Sequence, residues 1–128
     1  MPGAPQVNQT PRKVLVPPDV AKTWKSVTIQ VVDIQTSKAQ VFTVGVGKEV
    51  AIPATTLKLK VESFLPAMKM GPQGITSVSN DPLNPAAQVT ISESGKQPWH
   101  GWLFKLYPEM HQFKHPKYRI LLQDGQKA

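Results

Sequence analysis

Four groups of residues could do chemistry by their type and spacing. Met68-Lys69-Met70 sets two thioethers two residues apart. Thioether sulfur is a soft ligand that selects Cu(I), and a His such as His111 would complete a set for a small copper carrier. The competing role is packing, because Met is flexible and polarizable and fills irregular gaps under a long segment. Packing is the preferred assignment. His111 and His115 stand four apart, the spacing that puts two imidazoles on one helical face as metal ligands. Pro116 disfavours the α conformation at His115, and only Glu109 stands nearby as a further ligand, so a capping or surface role outweighs metal binding. The run Trp99-His100-Gly101-Trp102-Leu103-Phe104 places aromatic rings on both faces of a strand. It is either core on both sides or an aromatic binding platform partly covered by a neighbouring segment.

The fourth group, the acids, offers less. The eight acidic residues are scattered, and no motif pairs two of them as a glycosidase would need. There is no phosphate-binding Gly-rich loop before a helix, no nucleophile elbow and no His-Glu-x-x-His. No nucleophile has a recognisable partner, and no cofactor is implied. The chain has no Cys, which excludes disulfides, thiolate catalysis and Cys-based metal centres. A non-enzymatic role follows as the expectation.

Lys and Arg number 15 against 8 acids, a net charge of +7. Lys58 with Lys60, and Lys117 with Arg119, read as solvated strand faces. Only Arg119 lies within the domain, and guanine readout and phosphate forks favour Arg. No RNA-binding aromatic motif is present, so nucleic acid is not expected as a partner. An anionic membrane surface is a second use of the charge, beside a protein partner.

These residues need a scaffold, and 128 residues suffice for one domain. Pro reaches 13, and charged residues only 18%, which argues against a helical bundle. The segment 1–18, with Pro2, Pro5, Pro11, Pro17 and Pro18, reads as a disordered leader in which Lys13 to Val16 could pair with an edge. Residues 19–125 read as one β domain and 126–128 as a tail. Val27, Ile29 and Val31 alternate with polar residues, and Val32 and Ile34 break the phase, which predicts a bulge near Val31. Phe42, Val44 and Val46 share a face, then Glu49 to Ile52 makes a short strand. Leu57, Leu59 and Val61 alternate with Lys58, Lys60 and Glu62, giving a sheet with one wet side.

Pro66 to Pro85 reads as a long ordered loop anchored by Met68, Met70, Ile75, Val78 and Leu83, with Asn80 and Asn84 as turn formers. Ala87 to Ser92 and Gln97 to Leu106 form a hairpin about Ser94-Gly95. Pro108 starts one or two helical turns that end before Pro116. Tyr118, Ile120 and Leu122 form the last strand, and Asp124-Gly125 closes the domain. The fold class is all-β: a small antiparallel sandwich or barrel with one short helix and one long ordered loop. Gly101 lies where a strand side chain is expected, so a close neighbour is predicted. The expected neighbour is the Ser79–Asn84 loop, covering a buried Trp102 whose indole N–H bonds a loop carbonyl.

Phe64-Leu65-Pro66, the run Thr76 to Ala86, Gly101-Trp102-Leu103-Phe104, Pro108 with Met110-His111 and Phe113, and His115-Pro116-Lys117-Tyr118 occur in an order that resembles the bacterial domain of unknown function numbered twenty-one fifty-five. The likeness spans about Trp24 to Leu122. It implies an exported domain, often a lipoprotein, with no established activity. Cysteines found in that family do not carry over, since this chain has none. The start of the chain shows no signal peptide, so an envelope protein would be a mature form. The expectation is a periplasmic or lipid-anchored binding module with a protein partner. Its candidate residues are Trp99, Trp102, Asn80, Asn84, His111, His115 and Tyr118; the copper alternative uses Met68, Met70 and His111.

Overall fold

The computed structural model describes residues 13–72, 74–109 and 113–127. Ten strands and one short helix follow in order: β1 (Val14–Leu15), α1 (Pro18–Thr23), β2 (Trp24–Asp33), β3 (Ala39–Gly45), β4 (Glu49–Ala51), β5 (Leu57–Leu65), β6 (Met68–Gly71), β7 (Gly74–Ser77), β8 (Ala86–Glu93), β9 (Trp99–Phe104) and β10 (Tyr118–Lys127). They make three sheets, ordered β10-β2-β3, β4-β5-β8-β9 and β1-β7-β6. All pairings are antiparallel except β1 with β7. The chain is all-β with one short helix, and the sheets are open. Among the described residues no helix is long and apolar enough to cross a membrane.

The first two sheets form the sandwich, because alternation gives each strand one apolar face. Val27, Ile29 and Val31 of β2 with Ile120 and Leu122 of β10 meet Leu57, Leu59 and Val61 of β5 and Val89 and Ile91 of β8, all buried. Each such side chain contributes roughly 1.5–3 kcal/mol on full burial. The corner Gly45–Lys48 carries the chain from β3 into β4; Gly47 takes φ 84°, which only glycine adopts freely, and its N–H bonds Val61 O at 2.7 Å.

The third sheet lies outside the sandwich. Met68 of β6 and Ile75 of β7 are buried with Leu65, Ala86 and Phe104, and Trp102 packs on them. This satellite core explains the aromatics on both faces of β9: Leu103 points into the main core and Phe104 into the satellite.

Several expectations are corrected. The 66–85 segment is not a continuous loop but a β6–β7 hairpin followed by a polar turn segment. Of its expected anchors only Met68 and Ile75 are buried; Met70, Val78 and Leu83 are exposed. The short helix is α1, directly after the Pro-rich stretch, where Pro18 sits in the first turn and Asp19 and Lys22 suit the helix dipole. Pro108 and Glu109 form a turn, and Met110 to Gln112 lie outside the described residues. No bulge interrupts β2 at Val31: its register with β3 runs unbroken from Ser26 to Val32. Val32 and Ile34 are simply outer-face residues. The register shifts fall between β5 and β8, at Val61/Ser63, and between β10 and β2, at Leu122/Asp124 and Gln126/Lys127. Asp124-Gly125 sits inside β10, which runs on to Lys127. At the start of the chain, Ile75 N–H donates to Lys13 O at 2.8 Å, so the sheet recruits Val14–Leu15. Residues 1–12 of the expected leader lie outside the described residues.

Candidate functional site

The Asp33 end of β2 gathers three connections. The β2–β3 turn, the Ile52–Thr56 turn and the β8–β9 turn all end there, and residues 113–117 cross over them before β10. Ile34 N–H donates to Lys117 O at 2.8 Å, which seats that crossing segment. An aromatic row results. Trp99 meets Phe113 edge-on at 5.4 Å between centroids, Phe113 stacks on His115 at 5.8 Å, and His115 leans on Tyr118 at 5.2 Å.

Glu93, at the end of β8, organises the polar half. Its Oε2 accepts the Thr56 hydroxyl at 2.5 Å. Its Oε1 faces His115 Nε2 at 3.2 Å and Lys96 Nζ at 3.3 Å. The Thr56 hydrogen bond is the main cause that lowers the Glu93 carboxyl from 4.5 to about 2; partial burial opposes it, and His115 and Lys96 add to the lowering. His115 is held from both sides, because the Lys117 N–H donates to its Nδ1 at 3.0 Å. An Nδ1 that accepts must be unprotonated, so Nε2 carries the hydrogen that Glu93 accepts. Both ring nitrogens are thus spent inside the fold, and the ring is only 8% exposed. Such a His offers no lone pair to a metal or a substrate proton.

Two open depressions flank this row. One, of about 450 Å³, is lined by Ile34, Glu109, Phe113, Lys114, His115, Tyr118 and Arg119. The other, of about 440 Å³, adds Thr55, Thr56, Glu93, Lys96, Pro116 and Lys117. Lys114, Lys117 and Arg119 are exposed, and no carboxylate among the described residues lies within ion-pair distance of them. The end is therefore cationic at its rim and aromatic at its centre.

The structure brings together Trp99, His115 and Tyr118 of the expected site residues, and places Trp102, Asn80, Asn84, Met68 and Met70 elsewhere. Trp102 is half-buried against the satellite core and makes no hydrogen bond to the 79–84 segment among the described residues. The Trp that this segment covers is Trp24: its indole Nε1 donates to Asn80 Oδ1 at 2.9 Å and lies 3.3 Å from Asn80 O. Asn80 Nδ2 in turn donates to Thr23 Oγ1. The close neighbour of Gly101 is Trp99 itself, since a Cβ there would meet the Trp99 ring at 2.5 Å. Asn84 ties the hairpin base, with Nδ2 donating to Met68 O at 3.0 Å and a buried Oδ1 without a partner. Met68 is enclosed by apolar side chains and Met70 is 49% exposed, so the thioethers do not converge. His111 lies outside the described residues.

The residues missed from sequence are Glu93, Thr56 and Lys96. The Ser94-Gly95 turn marks the end of a strand at Glu93, but only the register shows that His115 returns to it. A second polar row, Glu62, Thr90 and His100, crosses the outer face of β5, β8 and β9: Thr90 Oγ1 lies 2.9 Å from Glu62 Oε2 and 3.0 Å from His100 Nδ1. The hydroxyl is the middle member, between acid and imidazole, whereas in a catalytic triad the imidazole stands between hydroxyl and acid. It reads as a cross-strand row on a wet sheet face.

No family model matches this chain, and no curated protein or solved structure matches it either.

Proposed function

We propose that this domain is a non-catalytic binding module, and that its contact surface is the cationic, aromatic end around His115. The observation that carries the proposal is the double anchoring of His115. The most enclosed titratable pair in the described structure, Glu93 and His115, is satisfied internally, and so serves to hold a surface rather than to transfer protons. What it holds is Phe113 and Tyr118, with Lys114, Lys117 and Arg119, which have no ion-pair partner among the described residues. Aromatic and Arg side chains on a rigid frame are what a protein interface enriches, and the unpaired cations favour an acidic partner surface. The family resemblance supports an exported partner in the cell envelope, with the chain periplasmic or lipid-anchored.

The test is amide and indole NMR during titration with a poly-glutamate peptide. Shifts confined to residues 113–119, Lys96 and the Trp99 indole are expected, and they should disappear at high salt. Shifts spread evenly over all lysines, or none, would remove the assignment. Parallel titration with phosphatidylglycerol vesicles, against phosphatidylcholine vesicles, decides between partner classes: binding to the anionic vesicles without response to the peptide would replace the protein partner with a membrane surface.

A further inference from the structure

We infer that β3 is a self-pairing edge, whose occupant is β3 of a second copy of this chain. β3 is the outer strand of its sheet. Asp33 N–H bonds Lys38 O at 2.8 Å and Val46 N–H bonds Lys25 O at 2.9 Å, and the register between these bonds is unbroken. In an antiparallel ladder hydrogen-bonded and non-bonded pairs alternate. Gln40, Phe42 and Val44 therefore bond β2, while Ala39, Val41 and Thr43 direct their N–H and C=O groups away from it. The same three residues are exposed, with Val41 at 53%.

Edge strands are ordinarily guarded by shortness, charge, Pro or a bulge. Most of the other edges follow this. β1 and β4 have two and three residues, β6 carries Lys69, and β10 carries Arg119, Asp124 and Lys127 with two register shifts. The end of β9 is tied to β10 by Lys105 and Asp124 at 2.8 Å. β3, with sequence Ala-Gln-Val-Phe-Thr-Val-Gly, has seven residues and none of these guards.

The edge is also self-complementary. A two-fold axis at Val41 sets Val41 opposite Val41 of the other copy and Ala39 opposite Thr43, all outward-bonding positions, so each pair exchanges both hydrogen bonds. The β-branched Val41 then faces its own copy across the joint. The nearest charge, Lys38, falls opposite Val44 rather than another Lys.

Sedimentation velocity of the full chain across a concentration series tests this, together with concentration-dependent amide hydrogen exchange. A reversible dimer is expected, with protection of the Ala39, Val41 and Thr43 amides rising as dimer forms. Val41→Lys should raise the dimer dissociation constant by about tenfold or more, because it opposes two like charges on the axis. A monomer at all concentrations would overturn the inference. So would a dimer that Val41→Lys leaves intact, or one formed without protection of these amides. The exchange measurement needs no variant, so it decides even if Val41→Lys were to misfold.

Discussion

The two ends of β2 hold a tryptophan cluster each, and they are built for opposite ends. β2 is ten residues long, which separates them by about 30 Å. At one end Trp24 is buried at 6%, tilted on Phe64 at 5.2 Å, bonded through its indole to Asn80 and overlain by Lys127. Every handle of that ring is used, and the rings press on Gly125, whose missing Cβ is what lets them fit. At the other end Trp99 is half-buried and starts a row of rings that ends in open depressions rimmed by unpaired cations. A ring whose polar atom is satisfied within the fold stabilises it; a ring row left open beside unpaired charge has surface to offer. Aromatic content alone does not mark a site.

The largest separation between the ends should come from Trp24→Ala against Trp99→Ala. Loss of a buried Trp should cost about 3–5 kcal/mol, and loss of the half-buried one about 1–2 kcal/mol. Urea denaturation of both variants measures this; equal losses would erase the distinction.

A smaller contrast lies in the glycines. A Cβ at Gly125 would meet Phe64 at 2.4 Å and Trp24 at 2.9 Å, and both rings are walled in. Gly125→Ala should therefore cost about 1–3 kcal/mol by overpacking. At Gly101 the obstacle is the Trp99 ring, which can swing toward solvent, so Gly101→Ala should cost under about 1 kcal/mol. Trp99 fluorescence should shift to the red in that variant while the fold persists.

The smallest effect is in the acid response. The unfolded chain takes up the Glu93 proton near 4.5 and the folded chain near 2. The group's contribution to stability is thus complete above about pH 4.5, falls as the pH drops through this window, and is gone below about 2. Melting temperatures of the wild type and Glu93→Gln should converge toward the acid end of that window. A constant difference between them would show that the carboxylate is not held as described.

The parts legible in the sequence are those where one alternation meets one core. Leu57, Leu59 and Val61, and Val89 and Ile91, announce β5 and β8 because their outer neighbours are polar. β2 was harder to phase, since Val32 and Ile34 are apolar on the wet face and imitate a bulge. The β6–β7 hairpin was hidden because its strands are four residues each, too short for a period, and because Met70 points out. The helix had its signals at Pro18, Asp19 and Lys22, but proline density around them reads as leader. At the candidate site, the ring types at 99, 115 and 118 could be named from sequence. Glu93 could not, because 22 residues separate it from His115 and only the strand register brings them to 3.2 Å. The Trp24–Asn80 bond, across 56 residues, is of the same kind.

The most direct test of a cationic, aromatic contact end compares two charge reversals that change net charge equally. One is Lys117→Glu with Arg119→Glu at the His115 end; the other is Lys58→Glu with Lys60→Glu on the wet face of β5. Affinity for the poly-glutamate peptide is measured by calorimetry for both, at matched salt. The end variant should lose about tenfold or more, and the face variant less than about twofold, with both melting near the wild type. Equal losses from the two variants would mean that net charge alone attracts the peptide, and that the His115 end is not a site.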